Sequence, residues 1–416
     1  MEPMFSGKDR PLDQRAPQRT GLAVLGVCFV LSLLGRGLGE SFTVFLLPIS
    51  QSFGWDRAEV VSIYSLTALC SGLASPFVGR LFDRSGPRLV YMLGLLLLGG
   101  AFLAAAIAQQ LWQLQIAVGL CVGLGIALTG NVPNSILLGR WFGPRLPTAM
   151  AIVYSATGVG VLLMLPIAQV LIERSGWRGA YELFGAAMLL MLVPLLMLPW
   201  RSFAAGSPGV TRAATLEPPD DGWVLRDAVR HHAFWALFAT FFFTAIGMYA
   251  IAAQVVAYLV DAGFPPLQAA TAWGFSGVVL VVGMLGVSWL DGVIGRRPSI
   301  LFSYAISIAG IGMLWLLKWS PNYALLTGFV LCFGSMIGSR GPLITATAMR
   351  VFRGKQVGLI YGTIAIGSGL GSAFGSWCGG LIHDLSGSYD PVLGFALVSV
   401  VLGMIPFLMV PALRER

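Results

Sequence analysis

Long apolar runs separated by short polar breaks occupy almost the whole chain. Twelve runs approach membrane-spanning length, at 21–50, 58–82, 88–108, 111–138, 148–172 and 179–199, then 233–260, 268–290, 298–317, 322–349, 356–382 and 391–411. A helix crosses the hydrocarbon core with about 20 residues. The pattern therefore predicts an all-α membrane protein of twelve transmembrane helices. The one long polar interruption falls at the midpoint. It divides the chain into an N-terminal arm (1–20), a six-helix bundle (21–199), a linker (200–232), a second six-helix bundle (233–411) and a short tail (412–416).

The two halves repeat one another. Between the second and third runs stands Gly79-Arg-Leu-Phe-Asp83-Arg84-Ser-Gly86-Pro-Arg88, and between the eighth and ninth Gly286-Val-Ser-Trp-Leu-Asp291-Gly-Val-Ile-Gly295-Arg296-Arg297. Asp83 and Asp291 are 208 positions apart, Pro133 and Pro342 209, Phe142 and Phe352 210, and Gly158 and Gly369 211. A slowly drifting offset along half the chain indicates internal duplication, and two membrane halves repeated in parallel are a design of secondary transporters. The pattern implies that the chain moves a solute.

Composition adds a topology. With 56% hydrophobic and 11% charged residues, the chain lies outside the soluble range, where roughly 25% are charged. The net charge of +8 is unevenly spread. Of 26 basic residues, 20 fall on the side of both termini and the linker and 4 on the other side. Such a bias places both termini in the cytoplasm of a cell membrane, and it accounts for the charge without nucleic acid. The first run exceeds a signal-peptide core, so no cleavage is expected. The five cysteines, all inside apolar runs, have neither metal-ligand spacing nor a disulfide framework. No metal, cofactor or catalytic cluster is expected.

Ala204-Ala-Gly-Ser-Pro208 and Glu217-Pro-Pro-Asp-Asp221 mark residues 200–232 as a flexible tether, with a short amphipathic helix at 223–232 leading into the seventh run. In the eleventh run Gly367, Gly371, Gly375 and Gly379 recur every fourth residue. Small residues so spaced let helices approach closely in lipid, within one bundle or as a rocking contact between the two.

The loop Gly79-x-x-x-Asp83-Arg84-x-Gly86-x-Arg88 resembles the signature of the major facilitator superfamily, and Ser175-Gly-Trp-Arg178 resembles another common feature of it. The likeness, with twelve spans and a central linker, covers essentially the whole chain. It implies two pseudo-symmetric six-helix bundles. It also implies that Asp83, Arg84 and Arg88, with Asp291 and Arg296 in the degenerate second copy, hold one gate state. Within the superfamily, Phe234-Trp235, Gly139-Arg-Trp-Phe142 and Gly338-Ser-Arg340-Gly-Pro342 resemble the monocarboxylate and oxalate/formate transporters. Many members of that group hold carboxylates with a basic residue in the eighth helix, and some with another in the eleventh. Runs 268–290 and 356–382 here contain neither Lys nor Arg.

Three charges lie deep in apolar runs: Arg36, Glu40 and Arg340. Each costs at least roughly 2.5–3.5 kcal/mol without a partner or a wet cavity. At about 1.5 Å per residue, Arg340 lies roughly 15 Å from the inner end of its run and Arg36 about 22 Å from residue 21. Arg36 and Glu40 share a helix face, either as a self-neutralising pair or as cavity groups; Gly35, Gly37 and Gly39 around them would loosen the helix. Arg340 has no acid in its own run. Its partner is then Glu40 across the cavity or the substrate, and the arginine fork suits a carboxylate. The resemblance implies that helices one, four, seven and ten line the cavity. Asn131 and Asn134 would do so unless they serve the backbone freed by Pro133, and Tyr249 and Gln254 are weaker candidates. Glu40 is the expected proton-coupling group, because an anion arriving at the arginines would loosen their hold on its carboxylate.

A drug exporter of the superfamily would carry Gly-Pro-x-x-Gly-Gly on the fifth helix, where this chain has Leu165-Pro166-Ile-Ala-Gln-Val. A receptor would be expected to carry a signalling domain. The expectation is a monomeric, proton-coupled carrier of a small organic anion, most simply a monocarboxylate, working by alternating access. Anion exchange and export of amphipathic compounds are the alternatives.

Overall fold

In the computed structural model, residues 15–142, 146–207, 222–352 and 356–410 are described. The arm up to residue 14, linker residues 208–221 and the tail at 412–416 lie outside the described residues. Twelve helical spans follow in order: α1 (Thr20–Phe53), α2 (57–85), α3 (87–106), α4 (Leu111–Phe142), α5 (146–175), α6 (177–197), α7 (His232–Asp261), α8 (Pro266–Ile294), α9 (Arg296–Leu317), α10 (323–351), α11 (Val357–Ser386) and α12 (Asp390–Met409). No strand occurs among the described residues.

Glycine makes three of the reversals. Gly86 joins α2 to α3 with φ 75° and ψ 173°, Gly176 joins α5 to α6 with φ 71° and ψ 170°, and Gly295 joins α8 to α9 with φ 87° and ψ 168°. That region is open essentially to glycine alone, and it lets one helix fold back on the next without a loop. Gly86 and Gly295 are counterparts in the repeated loop, so the duplication extends to backbone angles.

The central helices are also broken in matched pairs. α1 is interrupted at Ser41 and α7 at Ala253–Gln254. Both α4 and α10 contain a π-helical stretch (Gln115–Val122 and Val330–Gly334), followed by a break near Gly130 and Gly338 respectively. Discontinuous helices at mid-depth are how membrane carriers free backbone and side-chain groups for a binding site.

Each half supplies most of one apolar core, with Ala253 and Ala257 joining the first and Val44, Val161 and Leu165 the second. One runs from Val24 to Phe203 around Phe45, Phe102 and Tyr181; the other is centred on Tyr304, Phe329, Phe333 and Phe352. The glycine stripe of α11 serves the second core. A Cβ at Gly367, Gly371, Gly375 or Gly379 would stand 2.3–2.9 Å from the carbonyl oxygens of Phe238, Phe242, Ile246 and Ala250 on α7. Those glycines therefore seat α11 on α7 within one half, and the contact between halves uses other residues. α5 meets α8 through Gly158 and Gly277, where a Cβ on Gly277 would lie 2.3 Å from the Gly158 carbonyl oxygen. α2 meets α11 through Gly72 and Gly369.

The start of the linker is ordered rather than free. Trp200–Ala205 forms a helix with Trp200 and Phe203 buried. Trp141 Nε1 donates to the Phe203 carbonyl at 2.8 Å, and the Ser207 amide donates to the Arg140 carbonyl at 2.9 Å. The Trp200 and Phe203 rings supply apolar area that a Gly/Ser-rich tether lacks. A second short helix, Leu225–Ala228, leads into α7. Below, the linker end is the one carrying these segments, and the far end is opposite.

Candidate functional site

The charged cavity lies between the halves at mid-depth. It encloses about 170 Å³ and is lined by Arg36 and Glu40 of α1, Tyr64 and Ser71 of α2, Tyr249 of α7 and Ser368 of α11, among others. Larger apolar hollows exist, of about 410 Å³ between α3 and α4 and about 550 Å³ on α9. Neither is lined by a charged side chain.

Why α1 presents its charges here follows from its neighbours. A Cβ on Gly37 would stand 2.8 Å from the Gly160 backbone, and one on Gly35 or Gly39 would stand 2.5 Å from Thr129 or Ile126. The three glycines thus sink α1 between α4 and α5, leaving the opposite face to Arg36 and Glu40. They fasten the helix instead of loosening it. The helix then breaks at Ser41, whose hydroxyl donates to the Leu38 carbonyl at 2.7 Å.

Within the cavity the Tyr64 hydroxyl donates to Glu40 Oε2 at 2.8 Å. The Tyr64 ring stacks on Phe42 at 5.7 Å and approaches Tyr249 at 6.4 Å. Arg36 has no hydrogen bond or ion pair among the described residues, although Glu40 is the nearest source of opposing charge on its helix face. The self-neutralising contact one turn apart is not made: the carboxylate is turned to Tyr64, and the guanidinium is left available.

The other expected site residues are placed elsewhere. Arg340 is 3% exposed and lies against α9, away from the cavity. Its Nε donates to Ser303 Oγ at 2.9 Å, and its Nη2 to the Ser303 carbonyl at 2.7 Å and to Ser307 Oγ at 2.5 Å. Its guanidinium carbon sits 4.0 Å from the centre of the Tyr304 ring. Hydroxyls, a carbonyl and a ring face hold Nε and Nη2 of this cation inside its own half, while Nη1 is buried without a hydrogen-bond partner among the described residues. The side chain does not line the cavity that holds Glu40. Asn134 is fully buried between Tyr91, Ser32 and the Thr129 carbonyl, at 2.8, 2.8 and 3.3 Å. It takes the backbone-serving role at the α4 break. Asn131 is half-buried just past that break and does not line the cavity. Gln254, at the α7 break, is 1% exposed and faces Gly379 of α11; neither amide atom has a hydrogen-bond partner among the described residues. Only Arg36, Glu40 and Tyr249 of the expected set meet at one place.

The loop residues separate into two states. Asp83, Arg84 and Arg88 are exposed, Gly79 and Gly86 flank them, and none of the three charged side chains has a partner among the described residues. In the second copy Arg296 is buried, reaches Asp291 at 3.5 Å and donates to Thr347 Oγ1 at 3.0 Å. Tyr64, Ser71 and Ser368 escaped the reading of the sequence. The spacing of Tyr64, Ala68, Ser71 and Ser75 at helical intervals was the available signal.

Two pseudo-symmetric helical halves around a charged cavity are the architecture of a membrane carrier. The chain belongs to the Major Facilitator Superfamily, whose family model matches residues 25–376. It is an integral, multi-pass transporter. It is similar to monocarboxylate transporter 3 of Rattus norvegicus, at 26% identity over 389 residues covering 92% of this chain and 78% of that protein. It is similar also to an uncharacterized MFS-type transporter, YcxA, of Bacillus subtilis (25% over 409 residues, 95% and 97%). Monocarboxylate transporter 12-B of Danio rerio matches at 24% over 415 residues, covering 91% of this chain and 85% of that relative.

Proposed function

We propose that the protein carries a small organic anion, most simply a monocarboxylate, by proton-coupled symport with alternating access. The observation that carries this reading is Arg36, a cation that lines the cavity between the halves and makes no hydrogen bond or ion pair among the described residues, beside the Glu40 carboxylate that accepts from Tyr64. Arg36 receives the anionic head in a bidentate fork, and Tyr249 faces it from the other half. On the same measure one water needs about 10–15 Å³, so the cavity has room for a small organic molecule together with water. That suits a short-chain acid. The names of several relatives agree with a monocarboxylate.

Glu40 takes the proton in this scheme. One proton and one monoanion then cross as a neutral load, which avoids moving net charge through the membrane field. The basic-residue bias puts the linker end in the cytoplasm. All hydrogen bonds and ion pairs between halves among the described residues lie at the far end or at mid-depth, so this conformation is shut toward the outside.

The test is uptake of radiolabelled acetate, propionate and lactate into proteoliposomes under an imposed pH gradient. The wild type should concentrate at least one of them. Glu40→Gln should retain exchange but lose gradient-driven accumulation. A Glu40→Gln protein that accumulates substrate with unchanged dependence on external pH excludes the coupling role.

A further inference from the structure

α2 runs from the far end to the linker end and α11 runs the opposite way, so the first turn of each lies beside the last turn of the other. The first amides of any helix lack an intrahelical acceptor and carry partial positive charge. At the far end Asp384, in the last turn of α11, supplies that acceptor to α2. Its Oδ2 takes the Ala58 amide at 2.6 Å and its Oδ1 the Arg57 amide at 3.2 Å. The Arg57 side chain then crosses to Asp261, at the end of α7, at 2.6 Å and donates to the Tyr389 hydroxyl just before α12. One residue of the first half is thereby bonded to three elements of the second.

The seam beneath this cluster is built to close. A Cβ on Gly380 would stand 2.9 Å from Ala58 Cα. One level deeper, the Ser65 and Ser376 hydroxyls are bonded at 2.6 Å. Gly72 and Gly369 touch at the cavity itself, with added Cβ atoms 3.7–3.8 Å from the facing Cα. Small side chains thus line the route from the cavity to the far surface. At the linker end the helix directions are reversed, and Asp83 stands in the last turn of α2. There the acid is exposed and has no partner among the described residues.

We propose that Asp384 and Arg57 form the latch of the far gate, the counterpart of the Asp83 loop, and that their release opens the cavity to the far side. This rests on alternating access, but it does not depend on which solute is carried. Hydrogen bonds to a charged group shift an equilibrium by roughly ten- to a hundredfold, so each latch residue has a measurable weight in the balance between the two conformations.

Spin-label distances in the purified full chain test this without any ligand. One pair, Gln109→Cys with Ser320→Cys, spans the far end, and a second, Ser85→Cys with Val293→Cys, spans the linker end; all four positions are exposed. The five native cysteines are replaced by alanine. Asp384→Asn and Arg57→Gln should each add a longer far-end distance and a shorter linker-end one, moving the population ratio by roughly ten- to a hundredfold. Gly380→Ala should do the same through bulk alone, and it decides the matter if the charge variants fail to fold. Unchanged far-end distributions in the folded variants overturn the latch. That result would leave the anion-binding reading standing, because no substrate enters the measurement.

Discussion

Replacing Arg340 by Gln separates a cation that supports the fold from one that binds substrate. In the structure this guanidinium makes three hydrogen bonds, to Ser303 Oγ, the Ser303 carbonyl and Ser307 Oγ, and stacks on Tyr304. Hydrogen bonds between membrane helices contribute about 0.6 kcal/mol on average and about 1.7 at most. Three are therefore worth about 2–5 kcal/mol, and a well-placed cation–π contact adds roughly 0.5–2 kcal/mol. Removing the charge also removes the cost of burying it. Both serines keep their own donors satisfied, Ser303 on the Ile300 carbonyl and Ser307 on the Ser303 carbonyl. The net loss should lie near the lower figure, about 2 kcal/mol. Thermal unfolding of the purified protein, with and without carboxylates, is the assay. Arg340→Gln should lower Tm yet keep the rise that a bound carboxylate produces, and Arg340→Lys should fall between it and the wild type. An unchanged Tm combined with loss of the carboxylate-induced rise would refute this reasoning and return Arg340 to the binding site.

Gly277→Ala places a methyl 2.3 Å from the Gly158 carbonyl oxygen, so it should force α5 from α8, lower Tm and slow transport. Gly312→Ala, with nothing within 4 Å, should be neutral in the same assays. Cysteines at Ser207 and Ser320 should be labelled by an impermeant reagent from inside and outside respectively; the reverse pattern would invert the topology. His231 accepts the Ala233 amide at the start of α7, and burial, then His232, holds its pKa below 6.5. The folded state thus favours the neutral ring, and this stabilisation is present above about pH 6.5 and lost as pH falls below it. His231→Asn should therefore flatten part of the decline in Tm between about pH 7.5 and about pH 5.

Most of the fold could be read from the chain because bilayer thickness fixes the length of each apolar run. The duplicated loop carried its own evidence, since Gly86 and Gly295 share a backbone conformation that few other residues adopt. Arg36 and Glu40, charges standing in an apolar run, were the signal that pointed to the cavity they line. Depth along a helix is written in the sequence, but azimuth and partners are set by packing. The packing of Arg340 on α9 could not be read, because its partners Ser303, Tyr304 and Ser307 read as ordinary apolar-run residues. Asn134 was drawn from the cavity by Tyr91 and Ser32, which are distant in sequence. Tyr64 was missed because a tyrosine in such a run reads as packing until Glu40 is brought within 2.8 Å of its hydroxyl.

The central claim is that the cavity at Arg36 binds a small anion. Ligand-dependent thermal stabilisation of the purified protein tests it most directly, since binding to the native state raises Tm. Short carboxylates, sugars, amino acids and cationic drugs should be compared on the wild type and on Arg36→Gln. The account predicts that a short monocarboxylate raises the wild-type Tm in a concentration-dependent way and that Arg36→Gln, still folded, loses the response. Equal stabilisation of both proteins by the carboxylate, or stabilisation of the wild type by cationic or neutral compounds alone, would contradict it.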